Sequence, residues 1–275
     1  MQMLVGYQIH VNSAICINDN DAWDDEIMKA DFAFRLKAFQ IHLAISVAIA
    51  LLVLIIVFFI WHPFPLAKAI GVTHIFLMML TIDVILGPLL TFVVAKKEKS
   101  TLKLDLAIIG FIQFLALSYG FYNIAIARPE YIAFDLLRFE TVQSNSILSE
   151  DRKNAVDAFK NINYSSPKWV GVIPPKNIQE RNDRTFLEMR TGLAPSMRPN
   201  LYEPLDNQKN TIQQVAKPLS ELRKYNLATD IENILLKYPQ ADSFLPLKAN
   251  AVDMTVLIDK KSGGKVVAIV DLRPW

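Results

Sequence analysis

Asp83 is the residue whose setting most demands a chemical explanation. It lies near the middle of an apolar run, Gly71 to Ala95, GVTHIFLMMLTIDVILGPLLTFVVA. Such a run is long enough to cross a bilayer, which takes about 20 residues. A carboxylate at that depth costs at least roughly 2.5–3.5 kcal/mol on insertion scales. It calls for a polar partner, on this chain or on another. Within the chain the candidate is Gln113, at a similar depth on the next apolar run. A bond between those two side chains would be interhelical glue, worth about 0.6 kcal/mol on average in one measured system. A bond to a helix of another protein would make Asp83 a binding residue instead. A proton path would need several ionisable groups at that depth, and the run offers few.

Three more residues belong to this constellation. His74 precedes Asp83 by nine positions, which puts the two on opposite faces of an ideal helix. It is expected near the outer end, with Tyr119 or Asn123 in reach. Gly87 and Pro88 mark either a kink or a point of close helix approach, both tolerated in apolar helices. The candidate contact residues are therefore Asp83, His74, Gly87, Pro88 and Gln113.

Elsewhere the sequence narrows the chemistry. The four histidines are His10, His42, His62 and His74, and the single cysteine is Cys16. The chain after His74 thus has no His and no Cys, which argues against a thiolate zinc site or a Ser-His or Cys-His pair there. No glycine-rich phosphate loop and no G-x-S-x-G motif occurs. The acidic residues of the second half, such as Asp151, Asp157, Glu180, Asp183 and Glu188, have basic neighbours and capping or surface explanations. We expect no catalytic residue, no metal and no cofactor. The net charge of +2 is too small to suggest nucleic-acid binding.

The elements that must position these residues follow from hydropathy. The 275 residues are 52% hydrophobic, with mean hydropathy +0.25, and nearly all long apolar runs precede Arg128. Three transmembrane α-helices are expected, at about 41–61, 70–95 and 104–127, within a domain over 28–128. Residues 129–275 should form one α+β domain. Residues 1–27 are polar and acidic, NDNDAWDDE among them, and read either as a disordered leader or as the product of a start assigned upstream of Met28. Lys29, Arg35 and Lys37 precede the first span, and Lys96, Lys97, Lys99 and Lys103 separate the second from the third. By the positive-inside rule the N-terminus is cytoplasmic and residues 129–275 lie outside, in the periplasm of a Gram-negative cell.

In the outer domain, Tyr131–Val142 reads as extended and Ser149 as the cap of a helix running to Lys160. Trp169–Ile173 reads as a strand. Asn177 with Glu180 forms a capping box for a helix ending near Gly192. Residues 197–206 read as loop. Helices are expected at about 212–225, split at Pro218, and 230–238. The chain should close with a hairpin whose strands are 253–258 and 265–272.

Beyond pattern, the run Gly71 to Val94 resembles the signature of the type IV pilin accessory proteins of the TfpX/TfpZ kind. So do RLKAFQIHLAIS at Arg35–Ser46, LKLDLAII at Leu102–Ile109, YGFYNIAIARPEYIAFDLLRFETV at Tyr119–Val142 and the closing VLIDKKSGGKVVAIVDLRPW at Val256–Trp275. The resemblance runs from about Met28 to Trp275. It implies an inner-membrane protein that is not an enzyme and acts as a chaperone-like factor for pilus assembly. The implied partners are the membrane-held major pilin, other inner-membrane assembly proteins and the bilayer. The rival reading is a membrane-anchored enzyme that modifies pilin or an envelope component.

Overall fold

Apolar runs of this length have no way to satisfy their backbone except as helices, and the computed structural model, which describes residues 19–275 with side chains from 26 onward, has three of them. The first is α1 (Asp19–Leu54), continued without interruption by a π-helical segment, Ile55–Trp61. The second is broken into α3 (Val72–Thr81), a π segment (Ile82–Leu86) and α4 (Gly87–Val94). The third is α5 (Leu102–Ile126). Each is long and apolar enough to cross a membrane. A short helix, α2 (Leu66–Ile70), lies between the first two and ends on Gly71, whose φ of +82° lets the chain turn directly into α3.

The first long helix starts well before the expected position 41. Its polar-apolar stretch is held by the end of α4: Phe32 and Phe39 pack edge-on against Phe92, with ring centroids 5.8 and 6.3 Å away. Asp31 pairs with Arg35 one turn on and accepts from the Lys97 backbone N–H at 2.9 Å. Most of the leader expected over 1–27 lies outside the described residues, and its last part, from Asp19, already belongs to α1.

The remainder is a mixed sheet with short helices. In chain order it comprises β1 (Pro129–Asp135), β2 (Arg138–Gln143), α6 (Ser149–Lys153), α7 (Asp157–Lys160) and β3 (Lys168–Val172). Then come α8 (Ile178–Thr191), β4 (Tyr202–Pro204), α9 (Lys209–Val215), β5 (Lys217–Pro218) and α10 (Ala228–Lys237). The last three strands are β6 (Ser243–Lys248), β7 (Met254–Asp259) and β8 (Lys265–Val270). The sheet order is β4-β3-β1-β2-β6-β7-β8, with β5 beside β6. β1 runs parallel to β3, and β2 to β6; the other pairs are antiparallel.

Several local expectations meet corrections. Tyr131–Val142 is extended as expected, but as a hairpin of two strands; its turn is Leu136-Leu137, with Leu136 at φ +54°. The helix expected from Ser149 to Lys160 is two short pieces, because the chain dips at Ala155 to bury that side chain against Tyr131 and Val142. Residues 197–206 contain β4, paired with β3. Pro218 ends α9 early, since a ring without an N–H fits β5 and the following 3-10 turn better than a helix interior.

The sheet and the helices share a core. Leu66 and Ala69 of α2 are buried with Ile132, Phe134, Leu245 and Leu247 of the strands. The Ala69 carbonyl accepts from the N–H groups of Ala251 and Val252 at 2.9 and 3.1 Å. Lys68 pairs with Asp271 at 2.6 Å, tying α2 to the closing residues.

Candidate functional site

The second long helix forms the floor of a groove. The first and third both pack on it and meet each other at the end nearest the sheet, where Trp61 and Phe121 lie 5.3 Å apart. Two cavities that share His42 and Ile45 in their walls lie in the gap. One, of about 180 Å³, is lined by Ser46, Ile49, Ala50, Met79, Asp83, Gly110 and Gln113 among others. The next, of about 520 Å³, continues past His42 and Ile45 to Phe34 and Leu106. From Phe34 to Val53 the groove runs about 28 Å at 1.5 Å per residue, close to the hydrocarbon thickness of a bilayer.

The π segment sets the chemistry of the floor. The Gly87 N–H bonds Ile82 O, five residues back, rather than Asp83 O. The next N–H in line for the Asp83 carbonyl would be that of residue 88, and proline has none. Asp83 O is thereby left open, and Gln113 Nε2 donates to it at 3.2 Å. The carbonyl also decides the amide's orientation, since Gln113 Oε1 turned toward it would meet acceptor with acceptor.

Asp83 and Gln113 are therefore joined, but not as expected. The bond goes to the backbone of Asp83, and its carboxyl is left aside. Asp83 is only 9% exposed. Its Oδ1 and Gln113 Oε1 are both buried without a hydrogen-bond partner. Around them, apart from the His42 ring, the groove wall is small or apolar, and an added Cβ on Gly110 would meet nothing within 4 Å.

The other candidates fall into two groups. Gly87 is a close-approach point: a Cβ there would lie 1.8 Å from Gln113 Nε2. Pro88 is buried on the same helix, and one turn on Thr91 bonds His42 Nδ1 at 2.6 Å. His74, in contrast, is exposed on the outer surface of α3, away from the groove. Asn123 bonds the Tyr119 carbonyl of its own helix at 2.7 Å instead of reaching His74.

Sequence reasoning missed a second polar cluster, where the long helices meet the sheet. Arg128 is buried beneath Tyr164, 4.7 Å from its ring, and donates to the carbonyls of Asn163 and Ala125. Glu130 is fully buried and takes a two-pronged bond from Arg152, at 2.8 and 2.9 Å, plus the Asn163 N–H at 2.9 Å. Burial pushes its carboxyl up, but the guanidinium and the N–H outweigh burial and hold it below the usual glutamate range. Trp61 Nε1 donates to Tyr164 O at 2.9 Å, and Ser166 to Ile60 O at 3.1 Å. Arg128 and Glu130 stood within a quoted motif, yet only their distances to Arg152 and Asn163 reveal the cluster.

The model of the family described as fimbrial assembly protein FimB matches residues 30–71, which cover most of α1 and all of α2. A fimbrial assembly protein of serogroup I from Dichelobacter nodosus is 31% identical over 242 residues, 84% of this chain and 93% of the relative. Its serogroup E1 counterpart matches over the same shares at the same identity. One from serogroups C1 and C2 is 36% identical over 129 residues, 46% of this chain and 98% of the relative. No solved structure matches significantly. With near-complete coverage of two relatives at this identity, the chain belongs to the family of fimbrial assembly proteins.

Proposed function

We propose that this protein is an inner-membrane assembly factor that holds a type IV fimbrial subunit before it enters the fibre. The observation that carries the reading is the groove: a helix-length gap between two apolar helices, with two unpartnered acceptors in its floor. A fimbrial subunit held in the bilayer by one apolar helix would fill it. The names of the relatives support a part in fimbrial assembly, and none names an enzyme.

The proposed topology follows from charge. The turn between α4 and α5 carries Lys96, Lys97 and Lys99, and Lys103 follows in the first turn of α5, so this end faces the cytoplasm and the sheet domain faces the periplasm. On that arrangement the sheet domain stands beside the subunit's exported head, and two modest contacts on one chain reinforce each other through effective concentration.

Deletion of the gene tests the proposal. The fimbrial subunit should fall at least severalfold in the membrane fraction, with its transcript unchanged and its mass unaltered. Normal subunit levels and normal fimbriae would refute the holding role. A changed subunit mass would favour the rival enzyme reading.

A further inference from the structure

Both unpartnered atoms in the groove floor are acceptors. Gln113 spends one N–H on the Asp83 carbonyl, and its Oε1, close against Gly87, has no partner. Asp83 lines the same cavity as Gln113, is more than nine-tenths buried, and its Oδ1 likewise has no partner. Two buried acceptors without donors are costly, and the cost is removed by a group that donates. His42, the neighbouring polar ring, bonds Thr91 through Nδ1 and also faces the Gln113 amide.

We infer that Asp83 Oδ1 and Gln113 Oε1 form a recognition point for a hydrogen-bond donor carried midway along the apolar helix that occupies the groove. This rests on the holding role proposed above and adds a selection rule to it. A helix with a hydroxyl, amide, ammonium or protonated carboxyl group at the level of Asp83 is accepted. A uniformly aliphatic helix leaves both oxygens unpaired and is held less well. Gly110 and Ala50, which line the same cavity, let the incoming backbone come close enough for a side chain to reach the floor.

The test uses the full chain in cells that make the fimbrial subunit, with a photoreactive residue in place of Ile49 on the groove wall. The wild-type background should give a crosslink to the subunit. Asp83→Leu should lower its yield about fivefold, the order expected for one lost hydrogen bond. Asp83→Asn keeps an acceptor at the same place and should retain at least half. Substituting Leu, one position at a time, for the polar residues of the subunit's apolar helix should find one change that lowers the yield equally. That change should add nothing in the Asp83→Leu background. Protease resistance of the sheet domain confirms that each variant folds. An Asp83→Leu yield equal to wild type, or an Asp83→Asn yield as low as that of Asp83→Leu, overturns the donor rule and leaves the holding role standing. No crosslink in the wild-type background overturns both.

Discussion

Two buried carboxylates divide this molecule. Glu130, at the junction, is met by the Arg152 guanidinium and the Asn163 N–H. Asp83, in the groove, has an oxygen with no partner at all. Both are almost wholly removed from solvent. A buried charge with every lone pair satisfied holds a structure in one arrangement, while one left open lowers stability until something binds. On the function proposed above, the contrast separates a residue that joins parts of this chain from one that meets another molecule.

The largest effect should come from breaking the satisfied site. Glu130→Ala leaves Arg152 buried without its partner and should destabilise the sheet domain by about 3–5 kcal/mol. Thermal unfolding of the detergent-purified protein, followed by near-ultraviolet circular dichroism, reads this directly. A loss below 1 kcal/mol would remove the distinction between the two carboxylates.

Asp135 is an intermediate case at the far end of β1. Burial, and then the nearby Glu140, push its pKa up to about 6. In the folded state it therefore holds a proton that the unfolded chain releases near the usual value of 3.8. Its contribution to stability is present below pH 4 and is lost as pH rises through about 6. Asp135→Asn should accordingly be stabilising by about 2 kcal/mol at pH 7.5 and close to neutral at pH 4. Unfolding midpoints of both proteins across that range test the sign.

The smallest effect on stability should come from Asp83. Asp83→Leu removes an unpaired polar group and should change the unfolding free energy by less than about 1 kcal/mol, or raise it. A loss as large as that of Glu130→Ala would mean that Asp83 is glue within the bundle.

What could be read in advance follows the range of the interactions. The three long helices were legible because composition alone forces them. The cap at Asn177, which accepts from the Glu180 N–H at 2.8 Å, and the β7–β8 hairpin follow from neighbouring residues. The β1–β2 turn was not legible, since Leu136-Leu137 carries no glycine or asparagine to announce a left-handed residue. β6 was hidden by Pro246, which suggests loop. It is tolerated because pairing with β2 is confined to Leu247 and Lys248. In the groove, equal depth matched Asp83 with Gln113, but the atoms that meet depend on a π segment that residue spacing does not announce.

The position of α2 has a consequence for how the molecule is made. Leu66 and Ala69 leave the ribosome early, yet the strands that cover them, β6 and β7, are among the last. The core cannot close until nearly the whole chain exists, and its closing contacts span most of the sequence, which slows folding. A chain cut short before β6 would keep all three long helices and leave α2 covered only in part, by β1 and β2. Completion of the sheet is therefore reported at the base of the second long helix, so an unfinished copy carries an incompletely covered apolar segment beside the long helices.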